Sequence, residues 1–208
     1  MRFSLALDHI VVVARTLEEG VTYVEAVLGA ELSSGGYHPK MGTHNRLLSL
    51  GPGVYLEVIA VDPDVPRPAH RRWFNLDQYS GPPRIMNWVC NTDDLDLALD
   101  EAPPGSGTPM LLNRADMEWH MAVTEFGRLP FEDASPALMS WGDSPRPSDR
   151  LLDHGFRLTR LDVFHPAADD LLEAFPSLYG LDRVDVREGP EKRLIATIST
   201  PLGNRVLA

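Results

Sequence analysis

Apolar and polar positions alternate in blocks that repeat along the chain. Leu7 to Ala14 is a β-branched apolar run and predicts a buried strand. Thr16-Leu17-Glu18-Glu19 has the form of a capping box, in which Thr16 and Glu19 cap each other's backbone amides. Leu17, Val21, Val24 and Leu28 then recur at helical spacing, and Gly29 supplies a stop. A short strand is expected around Ala30 to Ser34, followed by a Gly35-Gly36 turn. Strands at Arg46 to Leu50 and Val54 to Val61 follow, joined by Gly51-Pro52-Gly53.

The order then returns. Ile85 to Asn91 predicts a strand and Asp93 to Ala102 a helix, ended by Pro103-Pro104. Strands at Met110 to Asn113, Met117 to Thr124 and Ala137 to Trp141 come next. A third block opens with a strand at Leu158 to Phe164 and a helix from Pro166 closed by Gly180. Strands at Val184 to Arg187, Arg193 to Ser199 and Arg205 to Leu207 complete it. Aligning the first strands on His9, Asn87 and Val163 gives steps of 78 and 76 residues (87 − 9 and 163 − 87). Near-equal steps with one element order predict a repeated βαβββ unit. The units fall at approximately 5–62, 84–142 and 157–208 of a single assembly, and the proline-rich stretches Asp62 to Pro68 and Ser144 to Pro147 read as linkers.

Composition narrows the chemistry. The 208 residues carry 19 basic and 30 acidic side chains, a net charge of −11, which disfavours nucleic acid and anionic membranes as partners. The single cysteine, Cys90, cannot form an internal disulfide or a multi-cysteine metal site, and reads as a core thiol. No apolar run reaches the roughly 20 residues of a membrane span, and no signal-peptide pattern precedes the first strand. A cytoplasmic location is expected.

Leu7-Asp8-His9, the segment Gly36 to Asn45, Tyr55-Leu56-Glu57-Val58, Asn113-Arg114, Trp119, Gly127-Arg128-Leu129-Pro130 and Leu158 to Leu161 together resemble the glyoxalase-like domain proteins. These belong to the vicinal oxygen chelate (glyoxalase/bleomycin resistance/dioxygenase) superfamily. The resemblance implies an α+β fold in which βαβββ units form curved mixed β-sheets around a cup-shaped cavity. It also implies a divalent metal (Zn, Mn, Fe, Ni or Mg) bound by His and Glu from first and last strands, and a lyase, isomerase or dioxygenase-like reaction on a small molecule.

His9 and Glu57 occupy the matching positions of the first unit. Period-two alternation puts His9 on a face with Leu7, Val11 and Val13, and Glu57 with Tyr55, Ile59 and Val61. A carboxylate on an apolar face needs a partner. The pair is expected at the catalytic centre, as metal ligands or as a hydrogen-bonded acid/base pair. The second unit has Asn87 in the His position and no Glu on its last strand, so the ligand set is half complete. His44 is a weaker third ligand. Asn45 and Arg114 are expected to orient a ligand, and Trp88, Trp119 and Trp141 to floor an apolar pocket. His38 and His165, each before a proline, read as local structure. Two alternatives stay open: a non-catalytic protein that sequesters a small ligand, and a degenerate scaffold acting as a homodimer.

Overall fold

The computed structural model describes residues 3–208. The first unit runs β1 (Leu5–Val13), α1 (Leu17–Leu28), β2 (Gly36–His38), β3 (Thr43–Ser49) and β4 (Tyr55–Val61). The second runs β5 (Arg84–Thr92), α2 (Leu95–Glu101), β6 (Thr108–Arg114), β7 (Met117–Val123), a short turn α3 (Pro130–Asp133) and β8 (Ala137–Ser140). These eight strands form one sheet in the order β2-β3-β4-β1-β5-β8-β7-β6. The order reads the same from either edge, with β1 and β5 antiparallel at the centre. The expected α+β fold with curved mixed sheets is what the chain adopts.

The sheet curls until its edge strands approach one another. Lys40 Nζ, just past β2, donates to the Leu111 carbonyl of β6 at 2.8 Å. Arg114, at the end of β6, crosses the same seam to Asn45 of β3. Alternation along β1 sends Ile10 and Val12 to the outer core with Val24 and Leu28 of α1, and Val11 and Val13 to the inside of the curl. The fully buried pairs on both faces explain why β1 reads as an unbroken apolar run.

The third unit comprises β9 (Arg157–His165), α4 (Ala168–Ala174), β10 (Val184–Glu188), β11 (Arg193–Thr200) and β12 (Gly203–Leu207). It shares the element order but not the pairing. In the first two units the last strand lies parallel to the first, β4 on β1 and β8 on β5. Here β10, the strand after the helix, takes that place, giving β10-β9-β11-β12. Leu158, Leu161, Val163 and Leu194 of this sheet join the outer core.

Local expectations are met at α1. Thr16 Oγ1 accepts from the Glu19 amide, and Gly29 closes the helix in the left-handed region at φ 68°. The reciprocal half of the capping box does not form, because the Glu19 carboxylate pairs with Arg15 at 2.7 Å. No strand forms at Ala30 to Ser34. The strand comes at Gly36–His38 instead, because the Gly35 left-handed turn (φ 70°) sets the chain against β3 only from Gly36 onward. No helix among the described residues is long and apolar enough to cross a membrane.

Candidate active site

The inside of the curl holds a small cavity, about 30 Å³, lined by residues from both units. On β1, β3 and β4, alternate positions point into it: His9, Asn45 and Leu47, Tyr55 and Glu57. Trp119, Met121, Met139 and Trp141 of the second unit form an apolar wall opposite, and Arg114 enters across the seam. The volume admits about two water-sized groups, so it takes the reacting end of a small molecule.

A β-bulge arms the centre. Leu7 pairs with Cys90 and His9 with Val89, so Asp8 is an extra residue in β1. The bulge rotates Asp8 to the same side as His9, against simple alternation, and leaves Leu7 in the outer core. The expected face shared by His9 and Leu7 is therefore corrected; Val11 and Val13 remain on the inner side. Asp8 Oδ1 lies 2.7 Å from His9 Nδ1, and Asp8 Oδ2 accepts from Trp141 Nε1 at 2.9 Å. With a carboxylate at Nδ1 that nitrogen carries the proton, and Nε2 faces the Glu57 Oε2 atom at 3.6 Å. Tyr55, the β4 neighbour of His9, stacks on its ring with centroids 4.5 Å apart. Burial, reinforced by Asp8 and Glu57, pushes the Tyr55 hydroxyl well above its ordinary pKa, so it stays protonated.

Glu57 is held from its other side. Asn45 Nδ2 donates to Glu57 Oε1 at 2.6 Å, and Asn45 Oδ1 accepts from Arg114 Nη1 at 3.0 Å and from the Gly36 amide at 2.9 Å. The second Asn45 amide proton faces His38 Nε2 at 3.4 Å, while His38 Nδ1 lies 3.0 Å from Thr43 Oγ1. Burial, with Arg114 and His9 adding to it, lowers His38 to about 3, so it is a neutral acceptor at ordinary pH. Gly36 has a structural reason: a Cβ there would sit 2.6 Å from Arg114 Cδ.

Six residues singled out in the sequence thus meet at one cavity: His9, Glu57, Asn45, Arg114, Trp119 and Trp141. Trp88 does not join them. It lies fully buried in the outer core with its indole nitrogen donating to the Ala134 carbonyl, one strand position out of phase with the cavity. His44 also lies elsewhere, partly exposed and tilted against Tyr37. Sequence reasoning missed Asp8, which holds His9, and His38, Trp73 and Phe74, which line the cavity. The last two sit in the connection between β4 and β5, just past the Asp62 to Pro68 stretch read as a linker. That segment is packed over the site, anchored by Arg72, which pairs with Asp77 at 2.7 Å and donates to the Met41 carbonyl. Its Trp73 indole nitrogen is buried without a partner.

The donor set does not fit a resident divalent metal. His9 Nε2 and Glu57 Oε2 supply two donors, and among the described residues no group of three His, Cys, Asp or Glu side chains could hold an ion. Asp8 is engaged by His9 and Trp141, and His38 Nε2 faces an amide proton. Asn87, at the place corresponding to His9, is a buried amide outside the cavity lining.

A model of the glyoxalase-like domain family matches residues 7–179. The chain belongs to that family. Among solved structures, the chain is similar to a hypothetical protein from Staphylococcus aureus, at 16% identity and TM-score 0.64 over 91% of this chain and 88% of that one. It is also similar to a Mn(II)-bound glyoxalase from Novosphingobium aromaticivorans, at 10% identity and TM-score 0.54 over 97% of this chain and 80% of that one. These likenesses show the fold. No curated protein sequence matches the chain.

Proposed function

We propose that this glyoxalase-like domain is a small-molecule enzyme that moves a proton beside a carbonyl group, an isomerase- or lyase-type reaction without a resident metal. The observation that carries the reading is the His9 ring, fixed at Nδ1 by Asp8 and presenting Nε2 toward Glu57 across 3.6 Å. A neutral imidazole whose other nitrogen donates to a carboxylate is a competent base at the free nitrogen. Glu57, oriented by Asn45, is the second group able to take or return the proton. As the C–H bond breaks, negative charge grows on the carbonyl oxygen, and the Arg114 guanidinium is the cation at the cavity to meet it. Trp119, Trp141, Met121 and Met139 exclude water and hold the apolar part of the substrate.

The test is solvent deuterium exchange followed by ¹H NMR across a panel of ketones, 2-oxo acids and thioesters in D₂O. Wild type should exchange one class, and His9→Ala and Glu57→Gln should each slow it by about 10²–10⁴. A panel on which wild type and His9→Ala behave alike overturns the proposal.

A second reading, sequestration of a small apolar ligand, is favoured by the aromatic and methionine wall. A ligand at 100 times its Kd should stabilise the fold by about 2.7 kcal/mol, which thermal shift resolves. Under this reading stabilisation persists in His9→Ala and no exchange occurs.

A further inference from the structure

A second reactive group lies outside the cavity, where the two sheets meet. Lys192, immediately before β11, reaches across to β5 and its Nζ donates to the Met86 carbonyl. Met86 is the residue that a second bulge leaves out of the β1–β5 pairing: Val11 pairs with Asn87 and Val12 with Ile85. Its carbonyl is therefore free to receive the amine. The Met86 sulfur accepts from Arg84 Nε at 3.0 Å, so amine and guanidinium converge on one residue.

Around them is a cleft of about 590 Å³ whose charged walls are Arg84, Arg128, Glu132, Asp133, Glu191 and Arg193. Asp133 is already engaged: Oδ1 accepts from the Leu129 amide at 2.7 Å and Oδ2 lies 3.4 Å from Arg128 Nε. The turn that carries it is left-handed at three successive non-glycine residues, Phe131 (φ 53°), Glu132 (φ 54°) and Asp133 (φ 72°). A left-handed backbone is unfavourable at each of them, so the surrounding packing imposes this wall. Glu191 is exposed to solvent. Burial, aided by Arg84 and Arg128 and opposed by Asp133, lowers the Lys192 ammonium to about 8. Composition adds a second observation. The chain has two lysines, Lys40 and Lys192, among 19 basic side chains, so an amine at this seam is not the chain's usual choice of cation.

We propose that Lys192 is a carbamylation site, where its amine captures carbon dioxide and Arg84 and Arg128 hold the resulting carbamate. The Nζ lone pair forms a bond to the CO₂ carbon, one C–O π pair moves onto oxygen, and one N–H proton leaves to solvent. Nothing is oxidised or reduced. The product is an anion beside two guanidinium groups, which an imine from an aldehyde, cationic when protonated, would not match. The adduct ties β11 to β5 and to the turn before β8, across the junction of the two sheets.

The experiment exposes the whole chain to ¹³C-bicarbonate at pH 7.5, traps carbamate by ethylation with a trialkyloxonium salt, and maps the label by peptide mass spectrometry. An amine titrating at about 8 is about one quarter neutral there, against about 0.1% for a lysine of ordinary acidity. Lys40, exposed on the far edge of the large sheet, is the internal reference. Label at Lys192 should exceed that at Lys40 by about tenfold or more. It should fall several-fold in Arg84→Gln/Arg128→Gln, with a melting curve confirming that this variant is folded. Equal or lower label at Lys192 overturns the proposal, and so does an unchanged level in the folded double variant.

Discussion

Replacing Asp8 by Asn tests the centre of the site with the loss of one charge and almost no change of shape. The carboxylate serves two donors at once, His9 Nδ1 at 2.7 Å and Trp141 Nε1 at 2.9 Å. An amide has one oxygen, so one donor must face an NH₂ group. If Trp141 keeps the oxygen, His9 can satisfy the amide protons only by accepting at Nδ1. Its proton then moves to Nε2 and points into the cavity. If His9 keeps the oxygen, the Trp141 N–H is buried without a partner. Losing a charge-assisted bond at a fully buried carboxylate costs about 2 kcal/mol. For a chain of this size that lowers the melting temperature by about 4–8 °C. The consequence for proton transfer is larger, because a base protonated at the wrong nitrogen is inactive; about 10³–10⁴ is the expected loss in rate. Long-range ¹H–¹⁵N NMR reads the His9 tautomer directly. Trp141→Phe, which removes one donor and leaves Asp8 on His9, should lose stability with little change in tautomer or rate. Unchanged tautomer and exchange rate in Asp8→Asn would refute the reasoning.

Three further outcomes follow from the same geometry. Gly36→Ala puts a methyl 2.6 Å from Arg114 Cδ and swings that side chain off Asn45; the cost in stability should be only about 1 kcal/mol by thermal melt, with an exchange rate lowered as in Arg114→Ala, and wild-type kinetics would show that Gly36 does not place Arg114. His38 is neutral in the fold down to about 3 but gains a proton near 6.5 when unfolded, so its contribution is complete above pH 6.5 and is lost as pH falls toward 3; about 3 kcal/mol should be gone by pH 4 in urea titrations, and His38→Gln should flatten that part of the profile if the assignment is right. Protein purified without added metal should hold less than one equivalent by mass spectrometric metal analysis, at a level unmoved by His9→Ala or Glu57→Ala; a stoichiometric ion that either variant releases contradicts the two-donor account.

What could be read from the chain alone was what local rules decide. Thr16, the 3–4 spacing of Leu17 to Leu28 and Gly29 define α1 without reference to anything else. His9 and Glu57 were singled out because the family resemblance implies ligands on the first and last strands of a unit, and period-two alternation on those strands agreed with it. Asp8 was not, since a bulge exists only relative to the partner strand and breaks the alternation a single strand displays. The tryptophans divide for a related reason. Along Ile85 to Cys90 both faces are buried, so nothing in the pattern says that Trp88 faces outward while Trp119, on a half-exposed strand, faces in. Trp73 and Phe74 lie in a segment with no period at all. Their burial, 6% and 3% exposed, follows from the curl of a sheet they do not belong to. The pairing of β10 beside β9 is equally invisible to element order.

The pseudo-symmetric sheet divides the work unevenly between its halves. At the corresponding central positions stand His9 and Asn87, an imidazole that can accept a proton and an amide that cannot. The second unit instead supplies the wall of Trp119, Trp141, Met121 and Met139. The polar chain nevertheless begins and ends on that second unit: Trp141 holds Asp8 at one end and Arg114 holds Asn45 at the other. Between them lie two buried carboxylates and an imidazole, groups whose desolvation is tolerable only while each is hydrogen-bonded. Closing the sheet supplies those partners, because β6 reaches β3 only when the edges meet. The site is thus completed by the same curl that makes the cavity, and loosening the β2–β6 seam should disarm Glu57 before it unfolds the core.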